Sequence, residues 1–88
     1  MPEIGKIFPG RFLSIGIKGD DVKALQGFLK TIYDRDGTIP NVEVTGEFDQ
    51  NTQDAVKIIQ MQINLPVNGV VGPLTWDAIV EMSEGKQE

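Results

Sequence analysis

The chain is expected to form an all-α fold: a small three-helix bundle built from a pseudo-repeat, with an extended N-terminal arm and a long loop between helices 1 and 2. Three observations lead there. Apolar residues recur at three-and-four spacing in three separate stretches, which is the period of a one-sided helix. Residues 44–56 and 67–79 are two versions of one phrase, in which Gly46, Thr52, Asp54, Ala55 and Val56 align with Gly69, Thr75, Asp77, Ala78 and Ile79, 23 positions further on. Finally, 88 residues at 40% hydrophobic content supply one small core and not two.

A single domain is therefore expected over 1–88, with an extended arm over 1–18 and helices over about 20–34, 49–63 and 73–84. The arm is punctuated by Pro2, Gly5, Pro9, Gly10 and Gly16, yet it carries Ile7, Phe8, Phe12, Leu13, Ile15 and Ile17. A disordered tail does not hold that many apolar anchors. The expectation is that it wraps on the helices, with Phe12, Leu13 and Ile15 partly buried.

Helix 1 opens at Gly19, Asp20 and Asp21, where early carboxylates suit the positive helix end. Its buried stripe is Val22, Leu25, Phe28, Leu29, Ile32 and Tyr33. Gly27 lies in its interior and suggests a close helix–helix approach. Gly37 and Pro40 then break the chain into a loop over 34–45.

Helix 2 starts behind Asp49 as N-cap and buries Thr52, Ala55, Val56, Ile59 and Ile63. Pro66 forbids its continuation. Helix 3 opens at Pro73, a residue suited to the first helical position, and faces inward with Trp76, Ile79 and Val80. Gly85 stops it, and Lys86, Gln87 and Glu88 form a polar tail.

A second echo joins the halves. Val22, Lys23 and Gln26 align with Val56, Lys57 and Gln60 at an offset of 34. Gln26 lies 20 residues before Gly46, and Gln60 lies 9 before Gly69, so the first copy carries an 11-residue insertion. The repeated unit is helix, glycine turn, next helix. Two such units share one core, because a solenoid needs at least three.

Composition narrows the chemistry. There is no cysteine and no histidine, which removes thiolate chemistry, the commonest neutral-pH general base and the commonest metal ligand. Net charge is −5 with the eight basic residues scattered, so neither nucleic acid nor a polybasic membrane contact is expected. No apolar run approaches the ~20 residues of a membrane span. The first ten residues show no signal-peptide core.

With these motifs in hand, the chain resembles the peptidoglycan-binding domain of the three-helix type. The residues that carry the likeness are Leu13, Gly16, Gly19, Val22, Leu25, Gln26 and Leu29, then Gly46, Phe48, Thr52, Ala55 and Val56. Ile59 and Gln60 follow, and then Leu65, Pro66, Gly69, Gly72, Pro73, Thr75 and Trp76. They come in the family's order over nearly the whole chain. Two departures keep their physical roles: Ile59 where the family usually has phenylalanine, and Asp49 where the first turn usually has glycine. The long loop and the lead-in Phe8, Pro9, Gly10, Arg11 are similar to versions from spore-forming Gram-positive bacteria.

The resemblance implies a module appended to bacterial cell-wall hydrolases, amidases, transpeptidases, phage lysins and spore cortex-lytic enzymes. It implies non-catalytic binding of peptidoglycan, through glycan or stem peptide, and targeting of an attached or partner catalytic domain. The expected setting is extracellular or the cell wall, and the expected state a monomer without cofactor or metal. The alternative is a protein-interaction or pro-domain module of a secreted enzyme, since related three-helix units serve as propeptides of secreted metalloproteases. A small hydrolase is the third reading, and the lack of histidine and cysteine weighs against it.

Gln26, Gly46, Thr52, Gln60, Gly69, Gly72, Thr75 and Trp76 are read as structural, with the threonines bonding back to turn backbone and the glutamines bonding loop backbone. Tyr33 is the expected exposed aromatic. Polar residues flanking the turns and the long loop form the candidate ligand face: Tyr33, Asn41, Thr45, Glu47, Gln50 and Asn68. The 13 carboxylates show no apolar pocket of the kind a glycosidase pair requires. Asp34, Asp36 and Gly37 are similar to the start of a calcium loop but lack its terminal glutamate.

Overall fold

A computed structural model describes residues 6–85; the first five residues of the arm and the tail at 86–88 lie outside it. The all-α expectation is borne out. Three helices follow in order, α1 (Asp20–Asp36), α2 (Gln50–Gln62) and α3 (Pro73–Ser83). Among the described residues the extended pairing is limited to two isolated antiparallel bridges, Leu13 with Val71 and Lys18 with Glu47.

Each helix begins for a local reason. Gly19 precedes α1 at φ 152°, and a β-carbon there would lie 2.8 Å from Asp21 Oδ1 and 2.9 Å from Arg11 Nη2. Asp49 caps α2 by accepting from Thr52 N at 3.0 Å. Gly72 precedes α3 without a side-chain cap, and Pro73 occupies the first turn. The left-handed Gly37 ends α1 two residues past the expected 34, its N–H donating to Tyr33 O. After α2, Asn64 turns the chain at φ 63°.

The core gathers Leu25, Leu29 and Ile32 of α1, Val56 and Ile59 of α2, and Trp76 and Ile79 of α3, all essentially fully buried. Each such side chain contributes about 1.5–3 kcal/mol relative to exposure. Two loop residues join them: Ile39 and Val42, from the 11-residue insertion, are buried as well. The insertion is thus part of the core wall. Ile63, Phe28 and Tyr33 are only half-buried, packed on the margin of the core.

The arm crosses both turns. Leu13 exchanges hydrogen bonds with Val71 at 3.0 and 2.8 Å. Phe48 N donates to Ile17 O at 2.9 Å, and Gly16 N to Phe48 O at 3.0 Å. Because side chains alternate along extended chain, burying Leu13 sends its neighbour Phe12 outward. Leu13 is inaccessible, whereas Phe12 is 62% and Ile15 49% exposed, so two of the three expected anchors stand in solvent.

An aromatic series fastens the arm. Phe12 meets Phe8, Phe8 meets Trp76, and Trp76 meets Phe28, all edge-to-face with centroids 5.7–6.2 Å apart. Trp76 Nε1 donates to Lys6 O at 2.9 Å. Arg11 closes the other side with a two-pronged contact to Asp21 at 2.8 and 3.0 Å. That hydrogen bonding holds the Asp21 carboxyl below the ordinary carboxylate range.

The close approach suggested at Gly27 is absent. A β-carbon there would meet nothing within 4 Å, so its neighbours leave room where tight packing was expected.

Candidate functional site

The two turns are built alike, each around a buried glutamine. Gln26 Oε1 accepts from Thr45 N at 2.9 Å and Gly46 N at 2.8 Å, while its Nε2 donates to Glu47 O at 2.9 Å and Thr52 Oγ1 at 3.1 Å. Gln60 repeats the pattern. Its Oε1 accepts from Asn68 N at 3.1 Å and Gly69 N at 3.0 Å, and its Nε2 donates to Val70 O at 3.1 Å and Thr75 Oγ1 at 3.2 Å. An amide suits this place because one end only accepts and the other only donates. Gly46 at φ 89° and Gly69 at φ 75° supply the left-handed backbone that aims these N–H groups at the glutamine. The threonine hydroxyls therefore answer the glutamines, and not the turn backbone as expected.

Where the copies differ, a groove opens. Asp49 and Gly72 are equivalent positions. In the first copy, Asp49 Oδ1 accepts from both Thr52 N at 3.0 Å and Thr52 Oγ1 at 2.7 Å. In the second, a β-carbon on Gly72 would lie 2.5 Å from Phe12 Cε2, so any side chain there would have to push the exposed ring aside. Beside it lies a groove of about 310 Å³. Its walls are Phe12, Leu65, Pro66, Val70, Pro73 and Leu74, and Gln60, Asn68 and Thr75 supply its polar atoms. Among the described residues, no carboxylate and no basic side chain lines it. Such a surface selects by shape, apolar contact and hydrogen bonding, and not by bulk charge.

The sequence-predicted ligand residues fall into separate groups. Tyr33 is half-buried, with Lys30 Nζ 5.4 Å from its ring centroid, and the same ammonium donates to Asn41 Oδ1 at 3.0 Å. Thr45 and Glu47 are exposed on the first turn, where Thr45 Oγ1 accepts from Glu47 N at 3.1 Å. Gln50 bonds Gln53 at 3.1 Å and Asp54 at 2.9 Å along α2. Gln53 in turn lies over the second turn, its Cγ 2.8 Å from where a β-carbon on Gly69 would sit. Only Asn68 lines the groove, and its Oδ1 already accepts from Gln60 Nε2 and Val70 N.

Phe12 and Leu74, 62% and 70% exposed, are the groove's apolar walls that sequence reasoning missed. Phe12 takes the place of exposed aromatic expected for Tyr33. The available signal was the mismatch of Asp49 with Gly72 between otherwise parallel copies.

Comparison with known proteins agrees with this frame. A family model described as "Putative peptidoglycan binding domain" matches residues 18–79, a stretch that includes both glutamine-held turns. The chain is 30% identical over 79 residues to the N-acetylmuramoyl-L-alanine amidase CwlL of Bacillus licheniformis. That match covers 90% of this chain and 21% of the amidase, so the chain spans about a fifth of that relative's length. The crystal structure of the SleB N-terminal domain is similar at a TM-score of 0.72 and 30% identity, covering 86% of this chain and 97% of that one.

Proposed function

The chain belongs to the peptidoglycan-binding domain family, and from that premise we propose that it binds bacterial cell-wall peptidoglycan without breaking it. In doing so it holds an attached or partner cell-wall hydrolase against its polymer. The observation that carries this reading is the family match across both turns, over a frame whose neighbouring groove is uncharged and aromatic-walled. A weak site suffices for targeting, since anchoring to an insoluble polymer raises the effective concentration of a tethered enzyme.

The module works outside the cell or in the wall, as a single domain and a monomer. Among the described residues no helix is long and apolar enough to cross a membrane. Contact with the polymer centres on the groove and Asn68. Tyr33 and Asn41 around Lys30, Thr45 and Glu47 on the first turn, and Gln50 on α2 are further polar contacts at separate places.

Purified sacculi provide the test. The full chain is expected to sediment with them and to leave a cell-wall zymogram uncleared. Failure to sediment, with capture of a protein partner instead, would overturn the reading in favour of a protein-interaction module. Clearing by the pure chain would overturn it in favour of a hydrolase.

A further inference from the structure

We propose that the groove beside the second turn takes the acetamido group of an N-acetylated amino sugar, with the carbonyl on Asn68 Nδ2 and the methyl against the apolar walls. The proposal rests on the peptidoglycan reading and names the part of the polymer met here: the glycan strand, and not the stem peptide.

The chain's own first copy serves as the reference. Counting back 23 positions, Pro66, Val70, Pro73 and Leu74 correspond to Glu43, Glu47, Gln50 and Asn51. Those four first-copy residues are polar and exposed, yet their turn closes on the same glutamine frame. The frame therefore does not require apolar residues at these places. Apolar surface that is exposed, contiguous and not needed by the fold marks a contact site. Phe12 and Leu74 carry that surface outward.

Asn68 differs from its counterpart Thr45 in a second, independent way. Thr45 Oγ1 accepts from Glu47 N at 3.1 Å and from Gln26 Nε2 at 3.5 Å. Asn68 Oδ1 fills the same two roles, accepting from Val70 N at 2.9 Å and Gln60 Nε2 at 3.1 Å. Two donors converging on that oxygen fix which way the amide points. The Thr45 hydroxyl donates back into its own turn, to Glu47 O at 3.3 Å. Among the described residues Asn68 Nδ2 has no acceptor. The second copy thus gains an oriented donor, at the groove, that its frame does not use.

One oriented donor beside apolar walls suits a neutral group with an acceptor oxygen and a small apolar end. An acetamido group is such a group. The sugar that bears it also has an apolar C–H face, which suits the exposed ring of Phe12. Charge decides against the stem peptide. Its carboxylates and amines would find no counter-charge among the lining residues, and its carboxylates would approach a chain of net charge −5.

The test is an NMR titration of the full chain with three neutral probes. They are a tetramer of N-acetylglucosamine, the equally linked tetramer of glucose, which has hydroxyls in place of the acetamido groups, and N-acetyl-alanyl-alanine amide. The N-acetylated tetramer is expected to shift the Asn68 side-chain amide and the Val70 and Leu74 N–H groups. It should bind about tenfold more tightly than either other probe, the combined effect of one hydrogen bond and one buried methyl. Asn68→Thr carries over the residue that the first copy uses, so the frame is kept, and the preference should vanish. Leu74→Asn carries over the first copy's residue at a position 70% exposed, so folding is preserved. It should weaken the N-acetylated tetramer about threefold through lost apolar contact. Equal binding of the two tetramers would overturn the proposal, as would a preference that survives Asn68→Thr or an alanine peptide that matches the N-acetylated tetramer. Sacculus binding separates the two readings. Retention without acetamido preference sinks the sugar site alone. Acetamido preference without retention supports the site and removes peptidoglycan as its source.

Discussion

The ring of Phe12 stands in the space that a side chain on Gly72 would need, with Cε2 2.5 Å from the position of the missing β-carbon. Gly72 has φ −99°, so its backbone is open to any residue, and the constraint comes from the ring alone. Phe12 is 62% exposed and its ring edge is free to swing aside, so Gly72→Ala should cost no more than about 1 kcal/mol, the scale of a displaced rotamer. Phe12→Ala should recover part of that cost in the double variant. A denaturation cycle over the four proteins measures the coupling, and strict additivity would contradict the contact.

The paired glutamines make a second prediction. Gln60→Leu keeps volume but strands the buried Gly69 N–H that Gln60 Oε1 now accepts and removes the donor to Thr75 Oγ1, while the Asn68 N–H keeps Pro66 O. The expected loss is about 2–4 kcal/mol, because unsatisfied buried donors carry their full desolvation penalty. Gln26→Leu should behave alike at the first turn, as read by urea denaturation midpoints.

Acid should loosen the arm at Asp21. Its carboxyl is held below the ordinary range by the hydrogen bonds from Arg11, so its folded pKa lies under its unfolded value near ~3.9. The corresponding stabilisation is complete at neutral pH and is lost as pH falls through the folded pKa. Asp21→Asn should flatten that acid limb in a stability-versus-pH series. The difference is small, since the Arg11 side chain is 49% exposed and solvent screens the pair.

Gly27→Ala should stabilise the protein by about 0.5–1 kcal/mol. The residue is helical and its added methyl would meet nothing within 4 Å. A lower melting temperature would show that space at Gly27 is used in a way the fold does not reveal.

Helix positions were legible in the sequence because one-sided periodicity at Val22, Leu25 and Leu29, or at Ala55, Val56 and Ile59, has few other physical solutions. The paired turns were legible because the phrase occurs twice. Ile39 and Val42 do not announce themselves as core, since two isolated apolar residues on either side of Pro40 and Asn41 carry no period. Phe12 was misjudged for a related reason. Its exposure follows from Leu13 pairing with Val71, a contact 58 positions apart that no local pattern announces. Gln26 and Gln60 were recognised as loop-bonding amides, but their depth was not: both are almost completely buried. Of the proposed ligand residues, Asn68 alone reaches the groove, because the groove is made where the arm crosses the start of α3, and the arm was read only as a wrapping segment.

Near the two ends of the described chain, Lys6 and Glu84 form an ion pair. Entry and exit therefore lie side by side. A domain joined through neighbouring ends can be placed before, after or within another chain with little change in how it is presented. Circular permutants linking the two ends by a short glycine-rich connector should thus retain the fold, and the groove's outward aim would survive a change of domain order.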